Sequence, residues 1–152
     1  YNAGKFTDAF GNVSRGNYLI YGSVNQAIYR ERAGSSHGVD GFFAFDWSPN
    51  DVNRENSQIT LGARYNGPIP ARPQDAAAFG FVYTHIGDPF QTIGLPPGAP
   101  PLGTEKAIEL NYAANIRPYF LVQPVFQYYV DPGANSRVPN AAVFGFRTKV
   151  TF

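Results

Sequence analysis

The sequence contains no cysteine, which excludes a disulfide framework, a thiol nucleophile and a thiolate metal site. It also lacks any run near the eighteen or so unbroken apolar residues that a membrane-spanning helix needs. Hydrophobic residues make up 43% of the chain, yet the mean hydropathy is −0.26, so the apolar content is dispersed. An excess of charge of one sign is missing too. The formal net charge is +1 and the twelve cationic residues are scattered, which leaves no electrostatic footprint for nucleic acid. The opening residues Tyr-Asn-Ala-Gly-Lys have neither the basic start nor the apolar stretch of a signal peptide, so the chain reads as mature or as lacking an N-terminal part.

Aromatic residues are abundant: 13 Phe, 10 Tyr and 1 Trp make up 16% of the chain. They favour strands, while 13 Pro and 16 Gly oppose long helices, so composition points to an all-β fold. Seven segments read as strands by period-two alternation: about 17–32, 37–48, 56–66, 76–86, 104–116, 119–130 and 141–152. In the second, Val39, Phe43, Phe45 and Trp47 oppose Asp40 and Asp46. In the fifth, Ile108, Leu110, Tyr112, Ala114 and Ile116 oppose Glu105, Ala107, Glu109, Asn111 and Asn115. The last sets Phe144, Phe146, Val150 and Phe152 against Arg147 and Lys149.

A soluble sandwich also alternates, since half-buried strands have one wet face. Three features favour a membrane barrel. The segments run about ten to fourteen residues, where soluble strands average about five or six. Aromatics such as Trp47, Tyr65, Tyr119, Tyr128 and Tyr129 stand near strand ends, where an interfacial girdle belongs. The connectors alternate in length. With Phe152 on the periplasmic side, the shorter links 33–36, 67–75 and Arg117-Pro118 fall inside, and the longer ones 49–55, 88–103 and 131–140 fall outside. The link 67–75 is long for a periplasmic turn. The segment 88–103 holds five prolines and is expected to be extended and exposed, without ladder bonds.

Seven is an odd count, which would leave the first and last strands of a closed up-and-down barrel parallel. Residues 1–16 are interrupted by Gly4, Asp8, Gly11, Asn12 and Gly16 and read as an external loop arriving from a missing strand, not as an eighth strand. The expectation is therefore the C-terminal half of a larger transmembrane antiparallel barrel (residues 17–152), completed by an N-terminal part or a second chain.

The segment Thr104-Glu105-Lys106-Ala107-Ile108-Glu109-Leu110-Asn111-Tyr112 is similar to the Glu-x-x-x-Glu-x-x-Tyr strand of the carbohydrate-selective porin family (OprB type). The stretch from Arg117-Pro118-Tyr119 through Gln123-Pro124-Val125-Phe126-Gln127-Tyr128 resembles that family's Gln-Pro-Asp-Leu-Gln-Tyr segment, with Tyr119 in place of Trp and Val125 in place of Asp. Asp131-Pro132-Gly133 resembles its Asn-Pro-Gly turn, Gly145-Phe146-Arg147 its Gly-x-Arg ending, and Arg72 and Asp75 its Arg-x-x-Asp turn. The resemblance covers nearly the whole chain from Asn17. It implies a barrel of sixteen strands in a Gram-negative outer membrane, with lipid outside and small carbohydrates passing inside. Independently of family, Phe152, Val150, Phe146 and Phe144 alternate toward an aromatic end, as outer-membrane strands do when assembly machinery holds their open edge.

A sugar channel needs donors, acceptors and aromatic faces, not a nucleophile. The inward-facing candidates are Arg64, Glu105, Glu109, Asn111, Asn115, Gln123, Gln127, Arg147 and Lys149. The competing structural reading is that Glu105, Glu109, Arg147 and Lys149 pair across strands and hold the wall. Glu105 and Glu109 are about 13 Å apart by strand rise, outside the roughly 5–9.5 Å used in glycoside hydrolysis. His37 and His85 lie on different strands with no serine elbow, and no metal or cofactor motif occurs. A second functional class, an anchoring barrel that docks another envelope protein, would need a plugged interior. Gly62, Gly80, Ala107 and Gly145 keep the inward face small and favour a channel.

Overall fold

The computed structural model describes residues 2–152, among which there are nine strands. β1 (Asn2–Thr7) and β2 (Val13–Asn17) form a two-stranded sheet of their own. β3 (Ile20–Arg30), β4 (Gly38–Trp47), β5 (Glu55–Asn66), β6 (Ala76–Ile86), β7 (Thr104–Arg117), β8 (Phe120–Val130) and β9 (Ala141–Val150) form one seven-stranded sheet. Its spatial order is its chain order, and every neighbouring pair is antiparallel. The two outermost strands, β3 and β9, each have one neighbour in this sheet.

All seven expected strands are present, with ends displaced by a few residues. The first begins at Ile20, because Asn17 ends β2. Residues 2–16 correct the expectation of a strandless segment (Tyr1 lies outside the described residues). The Asp8 carboxylate accepts hydrogen bonds from the backbone N–H groups of Phe10 (2.9 Å) and Asn12 (2.8 Å), closing a tight turn. Three of the residues that break the runs in the sequence, Asp8, Gly11 and Asn12, thus lie in the turn of the hairpin, while Gly4 and Gly16 lie within its strands.

Directly opposite residues of antiparallel strands share a face. One face carries the rows Phe43–Leu61–Phe81–Ile108–Tyr128 and Ala63–Phe79–Leu110–Phe126–Phe144. The other carries Phe42–Gly62–Gly80–Glu109–Gln127 and Asp40–Arg64–Ala78–Asn111–Val125–Gly145. Phe45, Phe81, Phe126 and Phe146 all lie on the apolar face and none is buried in a core. Phe144 is 80% exposed and Phe146 78%. Among the described residues, the buried hydrophobic ones are Ala76, Ile86, Leu102 and Ala134. The exposed area is 9960 Å², against roughly 7,600 Å² for a compact soluble chain of this mass. With almost no interior, the apolar face has no partner within the chain, and hydrocarbon is the solvent that satisfies it.

The links at the two ends of the sheet differ. Between β3 and β4, Gly38 has φ 139°, and a Cβ there would lie 2.1 Å from the Tyr29 carbonyl oxygen, so the turn requires glycine. The long link 67–75 is fastened by Asp75, which is 2% exposed. Its carboxylate pairs with Arg72, accepts from the Tyr112 hydroxyl and accepts from the Asn115 backbone N–H at 2.9 Å. The link is therefore folded down onto β7 despite its length. Tyr65 is anchored similarly, donating to Glu31 at 2.9 Å. These tyrosines place rings on the apolar face and hydroxyls on the turns, as an interfacial belt requires.

At the other end the proline-rich segment corrects the sequence expectation. It opens with a 3₁₀ turn, Asp88–Gln91, and Leu102 packs with Ile86 and Ala134. Ile86 N–H donates to Gly103 O (2.9 Å), Leu102 N–H to Gln91 O (2.8 Å) and Gly103 N–H to Ala134 O (2.9 Å). Proline removes donors only at its own positions; the residues between are free to bond.

Two outcomes are expected. Leu110→Arg, at mid-strand on the apolar face, should destabilise the folded state by roughly 2–4 kcal/mol in denaturant titrations in liposomes, and Asn111→Arg far less. Arg72, opposed in part by burial, holds the Asp75 carboxyl below its ordinary value, with Tyr112 and the Asn115 N–H assisting. Its contribution should be complete above about pH 4 and disappear as pH falls through the lowered native value. Asp75→Asn should lower the melting temperature at neutral pH and flatten that acid dependence in thermal unfolding.

Candidate functional site

The polar face is built by even-numbered residues of β4, β5 and β6 and odd-numbered residues of β7, β8 and β9. Arg64, Glu105, Glu109, Asn111, Asn115, Gln123, Gln127, Arg147 and Lys149 all fall on it by register. Four of them form a connected cluster. Glu109 accepts from the Asn111 amide (2.9 Å) and from the Gln127 amide (2.7 Å). Asn111 in turn accepts from Gln123 (2.8 Å), and the Tyr129 hydroxyl donates to Gln127 (3.2 Å). Asn111 and Gln127 are each held at both oxygen and nitrogen, while Gln123 is held through its nitrogen alone and keeps its oxygen for a passing solute.

The remaining candidates are placed differently. Glu105 accepts from the Gly133 backbone N–H (2.6 Å) and so ties the β8–β9 loop to the wall. Asn115 serves the Asp75 clasp, through its backbone N–H and by a side-chain bond to the Gln74 carbonyl. Arg64 faces Asp40 across the strands, but Asp40 is taken by Arg30 and by the Asn66 amide (2.8 Å). Arg147 lies opposite Gln123, and Lys149 opposite Leu121. Among the described residues, the ion pairs are Arg30–Asp40, Glu31–His37 and Arg72–Asp75, and none joins Glu105 or Glu109 to Arg147 or Lys149. The expected cross-strand charge pairing of the wall is therefore corrected. Glutamates and cations sit at different heights along the strands: Glu105 and Glu109 toward the long loops, Arg64, Arg147 and Lys149 toward the short links.

Phe42 was hidden in the sequence among Phe43, Phe45 and Trp47. A Cβ on Gly62 would lie 2.6 Å from the Phe42 ring, so that ring covers Gly62 and the floor there is not open as expected. Gly80 and Gly145 do stay open, with nothing within 4 Å of an added Cβ. The result is a hollow of about 310 Å³ whose lining includes Phe42, Thr60, Gly80, Glu109, Asn111, Gln127 and Tyr129. Next to it, sharing Val82, Ala107 and Tyr129, lies a second hollow of about 360 Å³ with Gln58, Thr84 and Glu105. A larger concavity, about 820 Å³, is lined mainly by apolar-face residues such as Ala63, Phe79, Leu110 and Phe126. It carries little polar chemistry and is a surface for acyl chains.

A seven-stranded antiparallel meander, apolar on one side, polar on the other and without an interior, defines the class of transmembrane β-barrel proteins. Residues 1–152 match the carbohydrate-selective porin, OprB family, and the chain belongs to that family. It is accordingly a protein of the Gram-negative outer membrane. A high-pH structure of Pseudomonas putida OprB has the same fold: TM-score 0.88 at 22% identity, over 99% of this chain. The chain spans 42% of that protein's length. No curated protein matches the sequence.

Glu109→Ala removes the shared acceptor of two amides on a wetted wall. Unfolding free energy should change by no more than about 1 kcal/mol, because water replaces the lost bonds. Solute flux in reconstituted vesicles should change severalfold.

Proposed function

We propose that this chain forms part of the wall of a passive, carbohydrate-selective channel. The observation that carries the reading is the Glu109–Asn111–Gln123–Gln127–Tyr129 cluster beside the Phe42 ring and the open floor at Gly80. Carboxylate and amide groups exchange hydrogen bonds with sugar hydroxyls as these lose water, and the aromatic ring meets the apolar face of the sugar. Arg147 and Lys149 form no ion pair among the described residues and present a small cation with like charge, while a neutral sugar meets no such barrier. Open glycine positions on the inner face favour conduction over a plugged, anchoring barrel.

The free edges of β3 and β9 carry unpaired backbone groups that hydrocarbon does not satisfy. In this reading, further strands, from an N-terminal part or a second chain, join those edges and bring the total to sixteen. The hairpin β1–β2 is then an external loop, and β9 ends toward the periplasm.

The test is swelling of liposomes containing the full-length protein. Monosaccharides should enter faster than amino acids of similar size, and Glu109→Ala should reduce the difference. Equal rates for both solutes would reduce the protein to an unselective pore. Arg147→Gln with Lys149→Gln should shift the reversal potential in a salt gradient toward cation selectivity.

A further inference from the structure

The hairpin β1–β2 does not stand clear of the barrel wall. Asn17 and Asn53 exchange side-chain hydrogen bonds (2.8 and 2.9 Å), and Asn53 also donates to the Pro49 carbonyl (2.7 Å). The Ala9 N–H donates to Asp51 O (3.1 Å). These bonds fasten both ends of the hairpin to the β4–β5 link. Between hairpin and wall is a hollow of about 490 Å³ whose lining includes Phe6, Tyr18, Asp46, Asn53, Glu55 and Gln58. Glu55 and Gln58 also line the 360 Å³ hollow, and Tyr129 joins that one to the hollow at Glu109. Three concavities thus follow one another down the polar face, each sharing residues with the next.

We infer that the hairpin completes a carbohydrate subsite at the mouth of the channel, where a sugar is captured before it reaches the Glu109 cluster. The inference rests on the channel reading above and adds a second, separate point of contact. The chemistry of the hollow decides the ligand class. Two aromatic rings, Phe6 and Tyr18, offer faces for apolar sugar surface, while Asp46, Glu55, Asn53 and Gln58 offer acceptors and amides for hydroxyls. A cation site is disfavoured, since no group of three His, Cys, Asp or Glu able to hold a metal occurs among the described residues. A nucleic acid or anionic ligand would meet Asp46 and Glu55 as like charge. The hairpin supplies Phe6, the residue just after it supplies Tyr18, and the β4–β5 region supplies the polar wall, so neither side alone makes the subsite.

The experiment uses the full-length protein in planar bilayers, with D-glucose added from the hairpin side and block of the ion current titrated. Phe6→Ala and Asp46→Asn should each raise the glucose concentration for half-block about fivefold, the equivalent of one net hydrogen bond or comparable contact. Phe6→Trp, which restores a ring, should return the midpoint to the wild-type range. Midpoints within twofold of wild type for both Phe6→Ala and Asp46→Asn overturn the subsite. If Glu109→Gln still moves the midpoint in that case, the channel reading stands without the mouth site. Failure of glucose to block the wild-type channel at all overturns both.

Discussion

Inside hydrocarbon a backbone N–H or C=O has no water to bond, and each one left unpaired costs several kcal/mol. The ladder of the β3–β9 sheet answers that constraint for the five inner strands, which bond on both sides. Everything else in the molecule is arranged around this ladder. Extended strands send successive side chains to opposite faces, so a sheet between two solvents must alternate apolar and polar residues along every strand. The chain does so along β4 to β9 with register shifts only at strand ends, between Glu55 and Ser57 on β5 and between Asn115 and Arg117 on β7, while β3, an outermost strand, takes one between Ala27 and Tyr29.

The same constraint explains where the chain spends its irregular backbone. Turns and loops gather beyond the strand ends, and there they are bonded to one another: Asp75 to Arg72, Tyr112 and Asn115 at one end, the 88–103 and 131–140 segments at the other. What little conventional core exists, Ile86, Leu102 and Ala134, lies among those loops and at the end of β6, away from the middle of the sheet. The sheet has no need of a core, because lipid takes that role on its apolar face and water on its polar one. This freedom leaves the polar face open to specialisation. Glycine at 80 and 145 clears space, Phe42 fills the space over Gly62, and five hydrogen-bonding side chains line up from Gln123 to Tyr129.

Much of this was legible along the chain, and the reasons differ by element. β7 is the plainest, since Ile108, Leu110, Tyr112 and Ala114 alternate with Glu109, Asn111 and Ala113, and period two is a local property. Asn115 falls on the polar face by register and its bonds go to the 67–75 link; nothing local to Asn115 announces a partner some forty residues earlier. The charges at Glu105, Glu109, Arg147 and Lys149 suggested cross-strand pairs. Register puts them at different heights, and a register is fixed by two strands together.

By itself the sequence determined which residues form the long strands, which side of each is apolar, and therefore that the two faces meet different solvents. These follow from side-chain alternation and turn chemistry, both set within a dozen residues. Only the tertiary structure decided that residues 2–17 fold into a hairpin leaning on Asn53, that Phe42 covers Gly62, and that Glu109 gathers Asn111 and Gln127. Those arrangements depend on which residue of one strand stands beside which residue of another, a quantity that backbone pairing fixes and no single segment contains.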